Sequence, residues 1–167
     1  MGLSVSAYAH AGLVPVHLAL GECGEHPSTR TDIRFLLTQL GLEFGRCYEG
    51  WGAEFLFYAG SYRSYAAWAD ILALRALGVR ACAISQNPID YVLDGPFFVL
   101  LYLADVRGTF GPGAAAHLAA DFRDLRAKVL SQPLGDPKDE AWFIERYDNF
   151  ERAFDLAASG NGMVVFC

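Results

Sequence analysis

The sequence predicts an α+β fold in a single domain, residues 1–167. Three observations carry this reading. Alternating β-formers open the chain ("LSVSAYA") and an apolar "MVVF" closes it, so strands sit at both ends. Helical periodicities fill the middle. No regular strand–helix–strand alternation joins them, which disfavours a doubly wound parallel sheet. The expected architecture is a small mixed or antiparallel sheet made by the N- and C-terminal strands, packed against about four helices.

The elements follow in chain order. Residues 3–9 alternate as a strand. "LVPVHLAL" (13–20) is a second apolar run, which Pro15 demotes to an edge strand or an irregular segment. "GECGEHPSTRT" (21–31) is a loop by composition, and "DIRFLLTQLG" (32–41) fits a short helix stopped by Gly41. "GAEFLFYAG" (52–60) is a strand between glycines. Ser61, a good N-cap, then opens a helix of about 17 residues that Gly78 ends. "VRACAIS" (79–85) has a weak strand preference. "GPFFVLLYLAD" (95–105) is apolar all round, so it reads as a buried helix with Pro96 at its first position.

The next helix runs from Pro112 to about Leu130. Ala114, Leu118, Phe122, Leu125 and Val129 share one face, and His117, Asp121, Asp124 and Lys128 share the other. "SQPLGDPKDE" (131–140) reads as a linker. The last helix covers residues 139–159, with Phe143, Tyr147, Phe150, Phe154 and Ala157 on its apolar stripe. Glu140, Glu145, Asp148 and Glu151 read as its solvated face.

Composition excludes several functions. Apolar residues make up 53% of the chain, enough for a sizeable core. Net charge is −6 with no Lys/Arg cluster, so duplex nucleic acid is not an expected partner. The apolar run Pro96–Ala104 falls far short of the ~20 residues that a membrane span needs. The four cysteines, Cys23, Cys47, Cys82 and Cys167, form no CxxC pair. They are read as reduced thiols in a cytoplasmic protein. Cys23 and His26 have CxxH spacing without a second pair, so no metal site is expected, and no cofactor motif is present.

Two stretches could carry chemistry. The first is "DVRGTFGPG", Asp105–Gly113. Free N–H groups at a helix start attract anions, and glycines admit a ligand close to the backbone. Asp105, Arg107, Gly108, Thr109 and Gly111 together suit a phosphate or a ribose. The loop lacks the GK[ST] of a Walker loop and the alternating acids of an EF-hand. The bland alternative is a cap: Gly111 before Pro112, with Asp105 and Thr109 satisfying backbone donors. The second stretch is "AGSYRSYAAW", Ala59–Trp68. Gly60 and Ser61 supply a helix start, Arg63 a cation, and Tyr62, Tyr65 and Trp68 an aromatic series that could stack on a ring. An aromatic stripe at this spacing is more often core. Each stretch is a glycine-containing helix start with an arginine and a hydroxyl, so the two would form one pocket if they met in space. A Ser61–His117–Asp105 triad exists in residue types only, without a GxSxG elbow. No catalytic residue is expected.

"MGLSVSAY", "YAGSYRSYAAW", "GPFFVLLYLADVRGTFGPGAAAHLAADF" and "YDNFERAFDLAASGNGMVVF" resemble an uncharacterised family of small proteins from phages, prophages and their bacterial hosts. Residues 13–50 and 79–92 carry little of the likeness. The family's motifs read roughly G-S-Y-x-x-Y-x-x-W-R and S-D-x-E-G-T-I-G-P. This chain keeps Gly60, Ser61, Tyr62, Tyr65, Trp68, Asp105, Gly108, Thr109, Gly111 and Pro112, and departs at Ala69, Ala104 and Arg107. Arg107 in place of an acid weakens a metal reading of the loop and favours an anionic ligand. The resemblance implies a mobile-element setting, where small accessory proteins often counter host defences.

The leading expectation is a protein that binds a small anionic, nucleotide-like molecule without turnover, sequestering a host immune signal. The alternative is a protein–protein inhibitor or adaptor acting on a host defence enzyme, with homo-oligomers compatible with either. The third is a hydrolase of a phosphorylated metabolite using Asp105 and His117.

Overall fold

The computed structural model describes residues 2–13, 48–86, 95–102 and 108–166. It is an α+β domain, as its sequence predicts. Strands β1 (Gly2–Leu13), β2 (Tyr48–Ser61), β3 (Gly108–Phe110) and β4 (Met163–Phe166) form one antiparallel sheet in the order β2-β1-β4-β3. Helices α1 (Tyr62–Leu77), α2 (Ala81–Gln86), α3 (Phe98–Tyr102), α4 (Pro112–Leu130) and α5 (Pro137–Ser159) complete the described chain. The expectations for residues 14–20, 21–31 and 32–41 lie outside the described residues, as do Cys23, His26, Cys47 and Cys167.

The period of two in β1 sets the layering. Leu3, Val5, Ala7 and Ala9 are buried against the helices, while Ser4, Ser6 and Tyr8 face the other way and are half-buried. An antiparallel sheet tolerates one solvated face, and this one covers a single side with α1, α4 and α5. The strands outrun the sequence expectation. β2 starts at Tyr48 rather than Gly52, and β1 continues to Leu13, so the β1–β2 ribbon extends past β4, whose first residue pairs with Tyr8.

Aromatic rings fill the space between layers. Phe150 of α5 stacks on Trp68 of α1 at 4.6 Å between centroids, and meets Phe57 of β2 edge-on at 5.0 Å. It also touches Tyr65, Phe166 and Phe122. The expected stripe of α5 is fully enclosed, from Phe143 through Ala157. On α4 the expected face is likewise buried at Ala114, Leu118, Phe122 and Val129.

Arg75 is the one buried charge among the described residues, 4% exposed. Its guanidinium lies over the Phe143 ring, donates to the Val129 carbonyl, and forms a two-pronged pair with Glu140 at 2.9 and 3.3 Å. Glu140 also accepts from the Leu134 N–H at 2.7 Å. It therefore ties α1, the end of α4, the connecting loop and the start of α5 together. This corrects the reading of Glu140 as part of a solvated face. Asp148 and Glu151 are also engaged, both by Arg126 of α4.

Three local expectations are corrected. Residues 81–86 are the short helix α2 rather than a strand, anchored by Asp70, which accepts from the Ala81 N–H and from Arg80. Pro96 does not open a helix. It is the second residue of a turn closed by Phe98 N–H to Gly95 O at 3.0 Å. Phe97 takes a positive φ of 56° there, held by its N–H to Asp121 Oδ2 at 2.8 Å and by its buried ring against Phe122. Third, the expected linker ends early, because Asp136 caps α5 through the Lys138 N–H and Pro137 takes the first helical position.

Candidate functional site

At the start of α1, the Ser61 Oγ accepts from the Ser64 N–H at 3.1 Å, the expected N-cap. Gly60 has φ +97°, and a side chain there would meet Arg146. Arg146 reaches over from α5, stacked on Trp142 at 4.5 Å, and donates to the Ala59 carbonyl at 3.1 Å and to Ser64 Oγ at 3.3 Å. Burial lowers the pKa of its guanidinium without bringing it near neutrality. Arg63 is exposed and Tyr62 half-buried beside it.

Tyr65 and Trp68 have no exposed surface. Their rings stack on each other at 5.9 Å, Trp68 also lies on Phe150, and its indole N–H donates to the Phe143 carbonyl. Spacing of three residues does put them on one side of the helix, but that side is the core. These two rings offer no face to a ligand, which corrects their assignment as stacking platforms.

The second helix start is built differently from a binding loop. Asp105 and Arg107 lie outside the described residues. Gly108, Thr109 and Phe110 form β3, paired with Phe166, Val165 and Val164. The tie is Phe110, 2% exposed, which packs on Phe166 at 5.0 Å and edge-on against Phe154 at 5.6 Å. Gly111 is buried and is the N-cap of α4, without a side-chain capping bond.

These two starts do not meet. Ser61 ends β2 at one edge of the sheet, opposite Gly2 of β1. Phe110 ends β3 at the other edge, in the row of Val164 and Ala7. The separation is roughly 17 Å along the strands and about 14 Å across them. Gly60–Trp68 and Gly108–Gly111 therefore do not line a common pocket.

Other candidate chemistry is sparse. His117 is exposed on α4, near Asp121. His10 of β1 shares a hydrogen bond with the Gly160 carbonyl at 2.7 Å, the structural use expected of it. Cys82 is a free, exposed thiol. Among the described residues no three His, Cys, Asp or Glu side chains are grouped to hold a metal ion. A cleft of about 540 Å³ lies between β2 and α5, lined by Glu54, Phe55, Asp148, Glu151, Arg152 and Asp155. Its charges are paired off: Arg126 with Asp148 and Glu151, Arg123 with Asp155, and Arg152 over the Phe55 ring at 4.2 Å.

What stands out is the outermost strand. On β2, Phe55 and Phe57 turn toward the helices, so Leu56 and Tyr58 turn away. Leu56 is 63% exposed and Tyr58 64%. Opposite them on β1 are Ser6 and Ser4. Further along the same strand Trp51 is 53% exposed. The segment "EFLFY" carries a signal for this: it is apolar at four consecutive positions, so a strand there must show large apolar groups on both faces. No helix among the described residues is long and apolar enough to cross a membrane.

Comparison with family models, with curated proteins and with solved structures gives no match to this chain.

Proposed function

We propose that the chain is a protein-binding module, an inhibitor or adaptor whose partner docks on β2 and the sheet face opposite the helices. One observation carries the reading: Leu56 and Tyr58, each more than 60% exposed, stand side by side on the outermost strand. Large apolar groups clustered in water mark interaction sites, whereas scattered single ones do not. Two serines flank them on β1, giving an apolar centre with a polar rim. In the mobile-element setting that the motif resemblance implies, the partner is a host defence protein.

Capture from host lysate tests this reading. Wild type retains a stoichiometric protein partner, and Tyr58→Arg loses it while keeping the wild-type melting temperature, because the ring is outside the core. The nucleotide-binding reading is narrowed to the start of α1, where Arg63, Arg146 and the N–H groups near Ser61 form a positive corner. Thermal shift against a panel of cyclic and ADP-ribose-type nucleotides separates the two. A shift abolished by Arg63→Ala, together with partner capture unaffected by Tyr58→Arg, would move the function to that corner.

A further inference from the structure

We propose that β2 pairs edge to edge with β2 of a second copy of this chain, about a two-fold axis passing beside Leu56. This rests on the reading of β2 as the interaction strand and names what its backbone edge engages.

Among the described residues no strand lies outside β2, so its outer edge offers free backbone donors and acceptors. Proteins that keep such edges apart place lysines or prolines on them, or keep the strand short. β2 is 14 residues long and contains no Lys, Arg or Pro. Its only charges are Glu49 and Glu54.

The geometry of β2 singles out one register. Gly52 and Gly60 both have positive φ, +88° and +97°, and the pairing with β1 shifts beside each of them. The regular stretch between these glycines is Ala53–Ala59, and Leu56 is its middle residue. An antiparallel pair of β2 strands centred on Leu56 therefore aligns both regular stretches over their full length. It also places Gly52 of each copy opposite Gly60 of the other, so the irregular backbone falls outside the pairing.

Side-chain chemistry agrees with that register. Across the axis Leu56 meets Leu56 of the second copy, and Glu54 meets Tyr58. On the helix side Phe55 meets Phe57. No acid faces an acid. A pairing displaced by two residues, centred on Glu54 or on Ala53–Phe55, would set the Glu54 carboxylates together or overlap the glycines. Like charges directly opposite each other are unfavourable, and apolar cross-strand pairs are favourable. A closed two-fold contact is self-complementary, so one pairing satisfies both edges and leaves none free for further addition. The product is a continuous eight-stranded sheet, twice the four strands of one copy, whose open face carries Leu56 and Tyr58 of both. The docking face of the proposed function is then doubled at the centre of the dimer.

Light scattering coupled to gel filtration tests this on the full chain. Wild type at tens of micromolar is expected at twice the 18.3 kDa chain mass. Leu56→Glu and Leu56→Lys are each expected to run as monomers, because like charges meet on the axis. Their equimolar mixture is expected to restore the dimer mass, because opposite charges then meet. Leu56 is exposed in the single chain, so both variants fold, and unchanged circular dichroism verifies it. A monomeric wild type overturns the proposal. So does a wild-type dimer that survives Leu56→Glu, or a mixture that stays monomeric. A wild-type monomer that still captures a partner through Tyr58 overturns the dimer alone. A dimer whose partner capture ignores Tyr58→Arg leaves the pairing standing and overturns the docking function.

Discussion

Phe150→Ala is expected to cost about 4 kcal/mol of folding free energy, the upper part of the range for removing a buried aromatic ring. The reason is position. Phe150 has no exposed surface, and its ring joins elements from both layers: Phe57 of β2, Trp68 and Tyr65 of α1, Phe122 of α4 and Phe166 of β4. Truncation leaves a cavity walled by other rings. Those rings are themselves held by neighbours, as Phe122 is by Phe97, Tyr147 and Phe154, so the site collapses little. For a domain of this size the melting temperature should fall by roughly 8–16 °C. Phe150→Leu, which keeps most of the volume, should lose less than half as much. Equal losses for the two variants would mean that ring stacking, rather than volume, dominates. No loss from Phe150→Ala would contradict the packing described.

Glu140→Ala is expected to cost about 3 kcal/mol, because it leaves Arg75 charged and almost fully buried without its partner. Half-exposed ion pairs contribute little, but the cost here falls on the buried member. The cost is reduced if the guanidinium can keep its bond to the Val129 carbonyl and its seat on Phe143. A double variant, Arg75→Met with Glu140→Leu, should recover much of the loss, because it removes the buried charge along with its partner. The pair also has a pH signature. The Arg75 hydrogen bond holds the Glu140 carboxyl below its ordinary 4.5, with the Leu134 N–H adding to the effect. A carboxyl whose pKa is lower in the folded state stabilises the fold above the unfolded value. That contribution disappears as pH falls through the folded value. Asp121 and Glu151 have the opposite sign: burial raises both, so each favours the fold more as acid protonates it. The stability difference between wild type and Glu140→Gln should therefore be constant at neutral pH and shrink below 4.5. Urea titrations at a series of pH values measure it, and a difference that grows on acidification would refute the assignment.

The layers of this fold were legible where one residue type has one use. The five apolar positions of α5 fall at helical spacing and all are buried, and the alternation of β1 gives its buried face directly. Legibility failed where a residue's use depends on a distant partner. Arg75 sits in "ILALRALG" among leucines and alanines, a hint of burial, but nothing local names Glu140, 65 positions away, as the group that neutralises it. Glu140 itself looks like any acid on a helix. The Gly108–Phe110 stretch reads as a loop because β3 has three residues, and only Val164–Phe166, at the far end of the chain, make it a strand. The same applies to the candidate site. Glycine, hydroxyl and arginine at two helix starts look alike in sequence, and strand order alone decides that they lie at opposite edges. The exposed Leu56–Tyr58 pair was visible as an apolar run, but which side of β2 lacks a neighbour is a property of the assembled sheet.

Hydrogen–deuterium exchange tests most directly whether β2 is the working surface of this protein. The chain is compared alone and dilute, concentrated, and bound to a partner captured through its wild-type surface. The account predicts slowed exchange confined to Ala53–Ala59 in both associated forms, with the amides of Ser61–Ser64 and Thr109–Gly111 unchanged. Protection at those two helix starts, with Ala53–Ala59 unaffected, would contradict it.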